Sequence, residues 1–405
     1  MPETSLADWL LRLESLHPEE IELGLDRVSA VADRLCLLPI ACPVVSVAGT
    51  NGKGSTIAVL DALLSHAGRR VGRYTSPHLL RYNERVCVAG EPVSDAQLIA
   101  SFERVELGRG DIPLTYFEFG TLAALDLFLR AGVDCMLLEV GLGGRLDAVN
   151  IVDPDIVVIT SIALDHESWL GSDREQIARE KAGILRPGVT MVCVDTDPPL
   201  ALQKRAAELQ CVCHYLSADE VVPYALSPSL RGENIAAACR SAEIMGVDLT
   251  ALDLAGVVSR ASPPGRMQQL QVGGVDVILD VAHNPAAVEN LAATLRTLPS
   301  SGRCLALFAV LSDKNIHAMI RSCQDVFDAW FVAALPRVPR AAVAADVVQE
   351  LRNQGVTMVS ESKNPRQAWR RARSLMGAGD RLVVFGSFYT VAEILPVLEK
   401  ERSKV

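Results

Sequence analysis

The chain has 405 residues, 49% of them hydrophobic and 22% charged, with a formal net charge of −10. Such a composition supplies a sizeable core and excludes disorder, and the acidic balance argues against nucleic acid or a membrane surface as partner. Ten cysteines stand with no C-x-x-C pair, which points to free thiols in a reducing cytoplasm and away from zinc.

The N-terminal stretch MPETSLADWLLRLESLHPEE is acidic and amphipathic, unlike a secretory signal. No apolar run reaches the ~18 residues of a membrane span. Strands are then predicted at Pro43–Ala48, Val71–Thr75, Cys135–Val140, Ile156–Ile162 and Thr190–Val194. After them come Cys304–Val310, Ala329–Ala334 and Leu382–Phe385. Amphipathic helical patterns at Ser94–Glu106, Thr121–Arg130, Arg174–Leu185 and Asn234–Met245 fall between strands. This alternation implies βαβ units and parallel sheets. Pro263 to Gly265 punctuate a break, and Gly273-Gly274 turns a new strand series. The expected division is residues 1–262, a linker at 263–270, and a smaller α/β domain at 271–405.

The stretch VVSVAGTNGKGST, residues 44–56, departs from the usual phosphate loop G-x-x-x-x-G-K-[ST]. Val47 stands where the first glycine belongs, and Gly54 follows Lys53. The context is nevertheless strand, glycines, lysine and helix, with Ser55 or Thr56 as the expected cap. Backbone N–H groups freed by Gly49, Gly52 and Gly54, a helix N-terminus and the Lys53 charge suit phosphate. An ordinary tight βα turn is the competing reading.

Further polar residues end strands at the carboxyl edge, where parallel sheets bind ligands. They are Ser76, Glu139, Asp165 and His166 in the first part, and Asp280, His283, Asp313, Lys314 and Ser387 in the second. Mixed oxygen and nitrogen ligation by Ser76, Glu139 and His166 suits Mg²⁺; in the second part capping would explain one such strand end, and three together suggest a second half of a site facing the first. Lys181 lies on an apolar stripe with Ile177 and Ile184. Either its stem snorkels outward, or its amine has a lowered pKa and does chemistry.

VAGTNGKGST, YTSPHLLRYNERV, LTYFEFGTLAALDLF, LEVGLGGRLDAVNIV, TSIALDHESWLG, REKAGI, PGRMQ, DVAHNP and VVFGSF follow one another along nearly the whole chain. In these segments the sequence resembles the bacterial bifunctional dihydrofolate synthase/folylpolyglutamate synthase family of the Mur ligase superfamily. The resemblance implies a P-loop-containing, Mur-ligase-like central domain and a smaller Rossmann-like α/β C-terminal domain. It implies ATP-dependent addition of L-glutamate to 7,8-dihydropteroate and to folates through an acyl phosphate, in a cytoplasmic monomer. It assigns Thr50, Asn51, Gly52, Lys53, Asn234, Arg266 and Asp280 to ATP. Ser76, Glu139 and His166 go to Mg²⁺, with a second Mg²⁺ and K⁺ as further cofactors. Lys181 becomes an N6-carboxylated (carbamylated) lysine and, with His283 and Asp280, part of the catalytic set. Glu22, Leu23, Gly24, Thr115, Tyr116, Phe117, Glu118, Leu146, Asp147 and Ala148 are implied pterin contacts, and Ser387 is tied to glutamate handling. Arg266, at the break, is expected to couple nucleotide binding to domain closure.

Two departures stand out: Asn315 occupies a position where an acid is common, and Glu233 sits beside Asn234. Competing functions are a monofunctional folylpolyglutamate synthase, a cell-wall Mur ligase, and a nucleotide-dependent switch without chemistry. The short stretch before the glycine loop argues against the second, and Lys181 with the strand-end set of the second domain against the third.

Overall fold

A computed structural model describes residues 5–17, 22–227, 229–299 and 301–403. Residues 1–4 and 18–21 of the amphipathic N-terminal stretch lie outside the described residues. The chain forms two contact units. One runs to Ala163 and resumes at Glu167–Ser262; the other takes Pro263 onward together with the short segment Leu164–His166.

In the first unit the strands are β1 (Val44–Ala48), β2 (Val71–Tyr74), β3 (Val86–Val88), β4 (Glu91–Pro92), β5 (Cys135–Glu139), β6 (Ile156–Ile159), β7 (Thr190–Cys193) and β8 (Val212–Tyr215). They form one sheet in the order β4-β3-β2-β5-β1-β6-β7-β8. It is parallel from β2 to β8, with β3 and β4 added antiparallel at one edge. Every residue of β1, β5 and β6 is buried, as a sheet covered on both faces requires. Met136 and Leu138 of β5 enter one core with Trp9, Phe102 and Phe119; Cys135 and Leu137 enter the other with Ile57 and Leu60. That alternation is the two-residue period of a strand.

The helices start where the chain offers caps. Thr115 and Glu118 form a capping box before Tyr116–Ala131, and Ser94 with Gln97 does the same before Asp95–Arg109. The helix Lys53–His66 is different: its N-cap is Gly52, with no side-chain hydrogen bond. Ser55 and Thr56 are buried inside the helix, so neither is its cap. The first-turn N–H groups are thereby left to whatever occupies the loop.

The second unit has β9 (Gln268–Val272), β10 (Val275–Leu279), β11 (Cys304–Phe308), β12 (Ala329–Ala333), β13 (Val359–Ser362) and β14 (Arg381–Phe385) in the order β13-β12-β11-β14-β10-β9. All neighbours are parallel except the β9–β10 hairpin, where Gly273 and Gly274 both take positive φ, 56° and 83°. β9 begins at Gln268, inside the stretch 263–270 read as a linker. Asn315 caps the helix Ile316–Cys323, its Oδ1 accepting from the Ala318 N–H, so amide and acid serve equally there. No helix among the described residues is long and apolar enough to cross a membrane.

Candidate functional site

Parallel strands place their carboxyl ends along one edge, and in the first unit the candidate residues gather there. β1 delivers Gly49 to Gly52, β2 delivers Ser76, and β5 ends on Glu139. The loop is locked to the chain after β6. The Thr50 N–H donates to the Ser161 carbonyl at 2.7 Å, and the Thr50 hydroxyl donates to the Ala163 carbonyl and accepts from its N–H, both at 3.0 Å. Asn51 bridges to Ser161. Lys53 folds back so that Nζ donates to the carbonyls of Gly49 and Thr50 at 3.1 and 3.3 Å.

Two glycines of this loop are obligatory. A Cβ at Gly49 would lie 1.7 Å from the Thr160 hydroxyl oxygen. Gly52 has φ 96°, and a Cβ there would lie 2.3 Å from Asn234 Oδ1, which also places the Asn234 amide directly against the loop. Gly52→Ala is expected to weaken ADP binding at least about tenfold and to cost about 1–3 kcal/mol of stability through strain in the left-handed region. Calorimetric titration and thermal unfolding measure the two; wild-type affinity would remove the loop from the site.

Glu139 is buried at the end of β5, its Oε2 accepting the Ser76 N–H at 3.1 Å. A Cβ at Gly54 would be 3.6 Å from the same oxygen. A buried carboxylate beside a serine and a glycine loop is the hard-oxygen donor set that a divalent cation favours, so these residues fit Mg²⁺. His166, the third expected ligand, lies in the segment Leu164–His166 that belongs to the second unit. It takes φ +51°, which is uncommon for a residue with a Cβ.

Lys181 is only 3% exposed, between buried Ile177 and Ile184. An amine enclosed to this degree does not reach solvent, which excludes the snorkelling reading. The helix Arg174–Ala182 passes so close to the glycine turn after β5 that a Cβ at Gly144 would be 3.1 Å from Lys181 Cα.

The expected pterin residues are partly brought together. Glu118 is buried, and its Oε2 accepts the Thr115 N–H at 2.7 Å. Its Oε1 takes a hydrogen bond from Arg27 at 3.1 Å, and Arg27 also pairs with the Glu22 carboxylate and donates to the Glu22 carbonyl at 3.0 Å. Arg27 thus joins the Glu22 and Thr115–Glu118 segments, and its buried Nε has no partner among the described residues. Sequence reading passed over Arg27 because an arginine in an amphipathic helix carries no local signal. Phe117 packs on Gly141, where a Cβ would come within 2.6 Å of its ring, and Tyr116 lies under the Arg85 guanidinium. Asp147 accepts from the Leu142 and Val149 N–H groups at 2.8 and 3.0 Å, which holds the glycine turn. Burial pushes its carboxyl up to about 7, opposed by those backbone donors and by Lys53. Ala148 is buried, starting the short helix that Asp147 caps, while Leu146, Leu23 and Gly24 are partly exposed.

In the second unit Asp280 follows β10 and accepts from the Met267 and Ala282 N–H groups at 2.9 and 2.8 Å. Burial raises its pKa, and nearby Arg266 pulls it down. Arg266 lies over the Phe388 ring at 5.6 Å, and His283 packs on the same ring. Burial drives the His283 imidazole down to about 4. Neutral, it donates from Nδ1 to the Val281 carbonyl at 2.8 Å and leaves Nε2 as an acceptor. Ser387 is buried as the N-cap of Phe388–Arg402, where its Oγ accepts from the Thr390 N–H at 3.1 Å, so capping accounts for that residue locally.

This architecture has known counterparts. Residues 47–222 match the Mur ligase middle domain, and residues 265–388 match the Mur ligase glutamate ligase domain. The protein is thus of the Mur ligase class, with a glycine-loop domain followed by a glutamate ligase domain. The dihydrofolate synthase/folylpolyglutamate synthase of Escherichia coli K12 is 43% identical over 98% of this chain and 96% of its own length. The chain belongs to the dihydrofolate synthase/folylpolyglutamate synthase family. The structure of E. coli FolC in complex with DHPP and ADP is similar at TM-score 0.91 and 40% identity, covering 99% of both chains. A Yersinia pestis bifunctional folylpolyglutamate synthase/dihydrofolate synthase complexed with AMPPNP and Mn ion is similar at TM-score 0.87 and 42% identity, covering 98% of both.

Proposed function

We propose that this protein is an ATP-dependent amide ligase that adds L-glutamate to 7,8-dihydropteroate and, in a second activity, to folates. The observation that carries the reading is the convergence, at one sheet edge, of the Gly49–Lys53 loop, Asn234 and the Glu139–Ser76 pair, in a chain similar to bifunctional ligases along almost its whole length.

In the proposed reaction the acceptor's carboxylate takes the γ-phosphoryl group of ATP, leaving ADP. The amine of glutamate then forms the amide and releases phosphate. Lys53 and the loop N–H groups bind the phosphates and oppose the charge that develops on them. Ser76 and Glu139 would hold Mg²⁺, with His166 as the further ligand, and the cation would neutralise phosphate charge. Thr50, Asn51, Gly52, Asn234, Arg266 and Asp280 are assigned to the nucleotide. Lys181 is proposed to carry a carbamate serving a second Mg²⁺, with K⁺ as an additional cofactor. Glu22 to Gly24, Thr115 to Glu118 and Leu146 to Ala148 are assigned to the pterin, and Asp280, His283 and Ser387 to glutamate. The protein is read as a cytoplasmic monomer.

The test is a pair of assays on the purified protein with ATP and L-glutamate, one with dihydropteroate and one with tetrahydrofolate, following ADP release and product mass. Both should turn over. Activity with tetrahydrofolate alone would make the enzyme monofunctional; activity with neither would remove the ligase reading. Arg27→Met is expected to raise KM for dihydropteroate about tenfold, the loss of a charge-assisted contact, while KM for ATP stays within twofold. Equal effects on both would show that Arg27 only holds the fold.

A further inference from the structure

Asp165 has no part in the reading above, yet the second unit holds it with unusual thoroughness. The carboxylate is almost fully buried. Lys314 Nζ donates to Oδ1 at 2.7 Å, and Asn284 Nδ2 donates to Oδ2 at 2.9 Å. Both side chains of the Asp165–Lys314 pair are enclosed, 7% and 5% exposed. A buried ion pair is poor value for stability alone, because desolvation opposes the attraction; its better-attested use is to specify one arrangement.

What it specifies is the adjoining residue. Oδ1 of Asp165 also accepts the His166 backbone N–H at 2.9 Å, and the His166 imidazole Nε2 lies 4.0 Å from Oδ2. His166 itself sits at φ +51°, a conformation that persists only where the surroundings over-determine it. The segment Leu164–His166 groups with the second unit, although the residues on either side of it belong to the first.

We infer that Asp165 is a positioning residue: gripped by Lys314 and Asn284, it fixes the backbone of His166 and so sets the imidazole that the proposed function assigns to the divalent cation. The inference rests on that assignment of His166. It makes Lys314 and Asn284 supports of a metal ligand they do not themselves form, and substitution of such outer partners typically costs about 10–100-fold in metal affinity.

The experiment is a Mn²⁺ titration of the full chain in the presence of AMPPNP, followed by electron paramagnetic resonance, on wild type, His166→Ala and Asp165→Asn/Lys314→Met. The double variant removes both charges together, so that neither is left buried and unpaired. It is expected to bind Mn²⁺ about tenfold more weakly, in the direction of His166→Ala, with AMPPNP affinity within twofold of wild type and a thermal midpoint near it. Wild-type Mn²⁺ affinity in the double variant, with His166→Ala impaired, would overturn the inference and leave the ligase reading intact. Unchanged affinity in His166→Ala would remove His166 from the metal site and overturn the inference with it. A loss of AMPPNP and Mn²⁺ binding in parallel with thermal stability would reduce Asp165 to a structural ion pair and also overturn it.

Discussion

Lys53→Ala is expected to lower kcat for ADP release about 10²–10³-fold, the effect of removing one preorganised charge from a transferring phosphoryl group. The geometry supplies the reason. The helix begins at Lys53 itself, its N-cap is a glycine with no side chain to satisfy the first-turn donors, and Nζ is parked on the carbonyls of Gly49 and Thr50. The ammonium is therefore held beside the loop, and rotation of a flexible stem carries it to a phosphate resting there. Lys53→Arg is expected to restore little, since a planar fork does not fit a position defined by two converging carbonyls. Steady-state ADP release and ADP affinity measure this. A variant with wild-type kcat would mean that the loop binds nucleotide without acting on the transferred phosphate.

Lys181→Ala is expected to reduce kcat about 10³-fold, with partial recovery on adding acetate or another short carboxylic acid. The side chain is enclosed, only 3% exposed, on a helix that packs against the glycine turn after β5. A neutral amine adds CO₂ and releases a proton to give a carbamate anion, which offers oxygens to a hard cation. If Lys181 carries the proposed carbamate, truncation to alanine removes that anion and leaves a space that a small carboxylate can enter. Mass spectrometry of the wild type under CO₂, together with the rescue assay, measures both parts. More than a tenth of wild-type activity in Lys181→Ala, or indifference to acetate, would leave this lysine a structural residue.

How much of this was legible beforehand depends on the range of the interaction. The glycine loop could be recognised because strand, glycines, lysine and helix are contiguous, and contiguous backbone makes its own phosphate cradle. Ser55 and Thr56 are good capping residues by type, yet the cap falls on Gly52, three residues before Ser55, and both lie inside the helix. The edge strands Val212–Tyr215 and Val359–Ser362 were missed since their half-exposed residues lack the apolar run that marks central strands. Arg27 could not be singled out, because its significance lies in Glu22 and Glu118, one of them 91 positions away.

The sequence by itself determined the alternating α/β plan, the glycine loop and the family resemblance, since periodicity, turn chemistry and motif order are properties of neighbouring residues. The tertiary structure alone decided that Lys181 is enclosed rather than snorkelling, that Arg27 joins two pterin-assigned segments, and that Asp165 is held by Lys314 and Asn284. Burial and ion pairing depend on what surrounds a side chain in three dimensions, and here those partners come from strands and helices far apart in the chain.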